Sequence, residues 1–326
     1  MMAQDRTGPA AGGAPGSIRL RGMGSFHVGG RDVALTDLPR REVVMAEGGQ
    51  PVSLDPNGTY RVEQMYAQYF LADPPSGRPP LAFWHGGGMT GAAWETTPDG
   101  REGWLNAFLR RGWDAYLCDA VERGRSGFAP VPEIWPEGPI VQAREDCYTR
   151  FRIGQPGTRP GPGSAYPNTR FPVDAFGQLA AQMVPRWVHT DAAILRGHLA
   201  LLERVGRMIV VCHSQAGVFG IRAALARPDL VRAVVALEPA SIPLLDDAAD
   251  YRTPTLIMMG DNMDSDPRWP RMRARVQAFA ARYPCVQVLS LPDLGIAGNS
   301  HMLMMDDNSL DLAALAHDWL MGLPPD

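Results

Sequence analysis

The chain contains no lysine: all 31 of its basic residues are arginine. That absence removes Schiff-base chemistry, P-loop phosphate binding and Ser-Lys dyads together, since each needs an ε-amine. Cysteine is scarce, with four in 326 residues, at positions 118, 147, 212 and 285. None forms a Cys-x-x-Cys pair, so the usual zinc and dithiol motifs are missing, and free cysteines beside apolar stretches serve as small hydrophobes. No apolar run approaches membrane-spanning length. A formal charge of -4 gives neither nucleic acid nor an anionic membrane a reason to bind. The first 17 residues are rich in Gly, Ala and Pro and lack the apolar stretch of a signal peptide. A disordered arm over 1–17 and a cytoplasmic location are expected, with a periplasmic or secreted location as the alternative if a signal was removed.

With 45% hydrophobic and 20% charged residues, the composition is that of a soluble globular protein long enough for a large core. Its expected partner is a small molecule, and a homodimer is left open. The most informative stretch runs from Met208 to Gly217. Its apolar, β-branched first half reads as a buried strand and Gln215 onward as a helix, which puts Ser214 on a sharp strand-to-helix turn, a nucleophile elbow. Such a turn needs small residues two places either side of the serine. Here they are Cys212 and Ala216 rather than glycine, with Gly217 one place late.

The rest of the chain alternates apolar strands with helices, the pattern of a largely parallel sheet covered on both faces. Ile18 to Leu35 reads as an antiparallel hairpin turning at Gly29-Gly30, and Tyr60 to Leu71 as a further strand. Leu81–Trp84, Ala115–Cys118, the apolar run from Met208, Val231–Glu238, Thr255–Gly260 and Val286–Leu289 follow as buried strands. Helices are expected over Glu102–Arg111, Asp191–Val205, the start of the elbow helix, the arginine-rich Pro270–Arg282 and Leu310–Leu320. Between about 129 and 185 the rhythm is lost among prolines, glycines and scattered aromatics. That segment reads as a lid inserted over the site in an otherwise single domain, 18–326.

A reactive serine needs a base, an acid to orient the base, and N–H groups for a developing oxyanion. Candidates stand at the ends of expected strands. His301, in the loop Gly298-Asn299-Ser300-His301 before the last helix, suits the base. Glu238, a carboxylate closing an apolar run, is preferred as the acid over Asp261 and Asp264. The backbone N–H of Gln215 and that of Gly87, in the His85-Gly86-Gly87-Gly88 run, suit the oxyanion hole, with Gly88 as the fallback. His213 belongs beneath the elbow and His85 under the glycine loop, both as structural residues. Met89, Trp94, Met302 and Gly88 are candidates to line the substrate pocket. No metal or cofactor is required.

Several stretches resemble the α/β-hydrolase superfamily, and within it a small group of bacterial serine esterases, over roughly Ile18 to Leu320. They are Gly24-Ser25-Phe26-His27-Val28-Gly29-Gly30-Arg31, Trp94-Glu95-Thr96-Thr97-Pro98-Asp99-Gly100-Arg101, Arg123-Gly124-Arg125-Ser126, His213-Ser214-Gln215-Ala216-Gly217 and Gly298-Asn299-Ser300-His301-Met302. The resemblance implies a carboxylesterase with Ser214 as nucleophile, His301 as base, Glu238 as the acid after the family's sixth strand, and Gly87 and Gln215 at the oxyanion hole. It also implies a lid, an α/β-hydrolase fold and, in many relatives, export. One relative carries adjacent cysteines where this chain has Gly87-Gly88, so no vicinal disulfide carries over. The same residues suit a lactonase, an amidase or a carbonate hydrolase, and the fold also occurs in binding proteins without catalysis.

Overall fold

An eight-stranded sheet in the order β1-β4-β6-β5-β7-β8-β9-β10 organises the computed structural model, which describes residues 16–129, 131–245 and 249–325. Its strands are β1 (Leu20–Leu35), β4 (Gly58–Ala72), β5 (Leu81–Trp84), β6 (Ala115–Asp119), β7 (Met208–His213), β8 (Val231–Leu237), β9 (Thr255–Met259) and β10 (Val286–Ser290). All neighbours from β6 to β10 pair in parallel, while β4 runs antiparallel to both β1 and β6. The central parallel strands read as largely apolar runs because both faces are covered; β5, β7 and β9 are buried at every position.

Helices α1 (Trp104–Arg110) and α7 (Ser309–Met321) cover one face, and α4 (Asp191–Val205), α5 (Ala216–Ala226) and α6 (Arg268–Arg282) the other. The insertion between β6 and α4 adds two short helices, α2 (Arg144–Arg150) and α3 (Phe176–Ala181), whose Cys147, Tyr148, Phe176 and Leu179 join the first core. It is therefore structured and packed, with more regular structure than its prolines and glycines indicate.

The N-terminal antiparallel pair is present, but its partners differ from the expected ones. Gly29 and Gly30 do take positive φ, 65° and 81°, yet the chain continues as one 16-residue strand with β4 alongside throughout. Glu63, across from this point, also has positive φ (61°), so both strands bend together instead of turning back. A small separate hairpin, β2 (Arg41–Val43) with β3 (Val52–Leu54), was not legible in the pattern. Helix α6 starts two residues earlier than expected, since Pro270 is tolerated in a first turn. Most of the expected N-terminal arm, residues 1–15, lies outside the described residues.

Counted without the small hairpin, β5 is the third strand of the sheet and β8 the sixth. Loops leaving the carboxyl ends of β5, β7, β8 and β10 carry the glycine run, Ser214, Glu238 and His301 respectively. In open parallel sheets this is the edge at which ligands bind.

Candidate active site

Ser214 occupies the elbow with φ 54°, a left-handed conformation that few non-glycine residues hold without support. Its backbone N–H donates to the Leu237 carbonyl (3.0 Å), and its carbonyl accepts from Ala240 (2.9 Å), so the turn is tied to the end of β8. The close approach depends on Gly217: a Cβ there would lie 2.4 Å from the Cβ of Pro239. Gly217, one place past the usual small position, is thus the residue that lets α5 and the β8 loop meet.

From Ser214 a hydrogen-bonded chain leads inward. Its Oγ stands 2.9 Å from His301 Nε2, and His301 Nδ1 stands 2.8 Å from Glu238 Oε2. With Glu238 ionised, the proton on Nδ1 faces the carboxylate and Nε2 is left to accept from the serine hydroxyl. Burial lowers the His301 pKa below its ordinary value, against the upward pull of Glu238. Burial also opposes ionisation of Glu238, but the Arg152 guanidinium and the His301 ring outweigh it and hold that carboxyl at about 2. His301 is therefore neutral and Glu238 charged near neutral pH.

Arg152 was not foreseen from the sequence. Helix α2 ends at Arg150 with Phe151 as its cap, and Arg152 follows with φ 54°, the left-handed step that commonly closes a helix. That step sends its side chain into the core, where Nη2 donates to Glu238 Oε1 and Nε donates to the Asp261 carbonyl (2.7 Å). The guanidinium lies 4.3 Å from the Trp269 ring centre, and that ring lies 4.8 Å from the His301 ring. Gly260 N–H adds a second bond to Glu238 Oε1, at 2.6 Å.

The loop bearing His301 is fixed from three sides. Its N–H donates to the Phe151 carbonyl (2.8 Å), and its carbonyl accepts from His213 Nε2 (2.9 Å). Asp306, fully buried, accepts from Ser300 N (2.8 Å), Ser300 Oγ (2.7 Å) and Asn299 Nδ2 (2.9 Å). Asp261 does not face His301: its Oδ2 accepts from Gly298 N (2.8 Å) and from Asn168 (3.0 Å), joining that loop to the insertion. Asp264 is exposed and pairs with Arg273.

His85 ties two strand ends together, with Nδ1–H donating to the Gly86 carbonyl (2.8 Å) and Nε2 accepting from Ala120 N (2.9 Å). Burial pushes its pKa down to about 4, consistent with a neutral ring. Gly87 meets the cavity beside Ser214. A Cβ there would lie 2.3 Å from Arg186 Nη1 and 2.8 Å from Gln215 Oε1. Among the described residues, no acceptor engages the N–H of Gly87 or of Gln215.

The cavity at Ser214 and His301 has a volume of about 410 Å³, with Phe151, Trp269 and Met272 supplying its apolar wall. A larger one, of about 780 Å³, lies beyond the ends of β9 and β10 and reaches neither residue. Met89, Trp94 and Met302 do not line this cavity; they are buried in the core shared with α1 and α7, where their apolar bulk fills space below the loops. Gly88 is also off the cavity wall, its carbonyl engaged by Val184 N (2.8 Å).

No protein-family profile matches the chain. A solved structure described as a novel bacterial esterase is 32% identical with a TM-score of 0.77, over 94% of this chain and 98% of that one. The chain belongs to the esterases of the α/β-hydrolase superfamily. The esterase is also 29% identical to a probable secreted lipase of a fungal species (strain ATCC 74256), across 81% of this chain and 87% of the relative. It is a carboxylic ester hydrolase. Among its described residues, no helix is long and apolar enough to cross a membrane.

Proposed function

We propose that this esterase works through an acyl-enzyme on Ser214, with His301 as general base and then acid, and Glu238 as the orienting carboxylate. The continuous chain of short contacts from Ser214 Oγ through His301 to Glu238 carries this reading. Oγ attacks the ester carbonyl carbon while its proton passes to His301 Nε2. The oxyanion accepts from the free N–H groups of Gly87 and Gln215. Collapse breaks the C–O bond to the alcohol, which leaves with the proton held by His301. Water then attacks the acyl carbon, giving its proton to His301, and the acid departs as Oγ is reprotonated.

Glu238 stabilises the imidazolium that forms in each step, and Arg152 keeps Glu238 charged in a site where burial favours its neutral form. The insertion, packed through Phe151 and Asn168 against the His301 loop, acts as the lid. Secretion of the lipase relative favours the exported alternative over a cytoplasmic location. Hydrolysis of 4-nitrophenyl butyrate by the native chain and by Ser214→Ala tests the reading. A loss of about a million-fold in kcat is expected, and turnover within tenfold of the native rate would sink it.

A further inference from the structure

Charge on the wall of the cavity at Ser214 is one-sided. The cavity wall contains Arg150, Arg186, Arg268, Arg271 and Arg275, and no carboxylate is among its described residues. Two of these cations are already matched, Arg150 by Asp146 at 2.5 Å and Arg268 by Asp266. Arg186, Arg271 and Arg275 have no carboxylate within ion-pair distance among the described residues.

Their placement follows from local structure. Arg268, Arg271 and Arg275 recur at helical spacing along the face of α6 that carries Trp269 and Met272 into the cavity. Arg186 is held by a backbone bridge to Ile140, with N–H to carbonyl distances of 2.8 and 3.0 Å. Its Nη1 rests against Gly87, and its Nε is buried with no hydrogen-bond partner. A guanidinium kept half-buried with an unpaired donor is costly unless an anion completes it. Desolvation lowers its pKa, with Asp191 pulling the other way.

We propose that the ester cleaved here carries an oxyanionic group, a carboxylate or a phosphate, within the span of the cavity, and that Arg186, Arg271 and Arg275 select it. This rests on the reading of Ser214 as nucleophile at the same site. Apolar contacts from Phe151, Trp269 and Met272 then hold the linking carbon skeleton, while the arginines supply charge-assisted hydrogen bonds.

The test uses the full-length esterase and matched esters. An acyl-side pair is 4-nitrophenyl hexanoate and the mono-4-nitrophenyl ester of adipic acid. An alcohol-side set is 4-tolyl acetate, 4-acetoxybenzoate and 4-acetoxyphenyl phosphate. Each kcat/KM is divided by the ester's rate with hydroxide to remove intrinsic reactivity. At low ionic strength at least one anionic ester should exceed its neutral partner tenfold or more, through a lower KM. That preference should shrink in salt and collapse in Arg186→Gln and in the Arg271→Gln/Arg275→Gln double variant. Which ester leads tells carboxylate from phosphate and the acyl side from the alcohol side. Equal or better use of the neutral esters, or a preference that survives both variants, overturns the inference and leaves the ester reading standing. Absence of turnover on every ester overturns both.

Discussion

Arg152 and Glu238 form an ion pair with both side chains fully buried, joining the inserted segment to the carboxylate behind His301. A buried pair is strongly destabilised when only one partner is removed, because the other charge is left uncompensated. Arg152→Gln should lower stability by about 3–5 kcal/mol in urea unfolding. Its charge also lowers the His301 pKa, so its removal should move the acid limb of kcat/KM to higher pH. Arg152→Lys, which keeps the charge, should restore most of that limb. A limb that stays in place in Arg152→Gln would show that the pair has no hold on the base.

The three candidate acids should separate by rate. Glu238→Gln is expected to reduce kcat by about 10³–10⁴-fold, the scale of losing the orienting carboxylate in a serine triad. Asp264→Asn, at an exposed ion pair, should change stability by less than about 0.5 kcal/mol and leave kcat within twofold. Asp261→Asn should cost about 1 kcal/mol by weakening the tie to Gly298. Steady-state kinetics beside thermal melts will tell rate effects from folding effects.

Buried Asp306 makes a pH prediction of its own. Burial raises its pKa from the ordinary 3.8 to about 7, against its bonds from Ser300 and Asn299. The folded chain then binds a proton that the unfolded chain releases, so this contribution is complete below pH 3.8 and is lost as pH rises through about 7. Glu238 acts in the opposite sense, its contribution present above 4.5 and lost as pH falls through about 2. Asp306→Asn should therefore flatten the decline in unfolding free energy between about pH 4 and 7. An unchanged slope would contradict the assignment.

Gly217→Ala puts a methyl group 2.4 Å from Pro239 Cβ. Overpacking of this kind costs about 1–3 kcal/mol, and at this position it also pushes the β8 loop away from the elbow. Both Tm and kcat should fall, with KM less affected. Gly177→Ala, where the new Cβ meets nothing within 4 Å, is the matched control and should leave all three near native.

The parallel sheet and its helices were legible in sequence because strands buried on both faces leave apolar runs, as at Leu81–Trp84. Ser214, Glu238 and His301 were legible for a related reason, each standing just after such a run or in the last loop. Arg152 was not, because its inward turn depends on one left-handed residue after α2, inside a proline- and glycine-rich stretch with no period. The arginines of α6 were visible as a composition. Their direction was not, since which face meets the cavity is decided by the packing of Trp269 and Met272. Glycines 29 and 30 misled because positive φ marks a kink as readily as a turn.

The most direct measurement is covalent labelling of the native chain with a fluorophosphonate, followed by peptide mass spectrometry. One adduct should form, on the peptide containing Ser214, at a rate that falls with His301→Ala and vanishes with Ser214→Ala, in parallel with ester turnover. An adduct on another residue, or undiminished turnover once Ser214 is labelled, would contradict a nucleophile at the elbow.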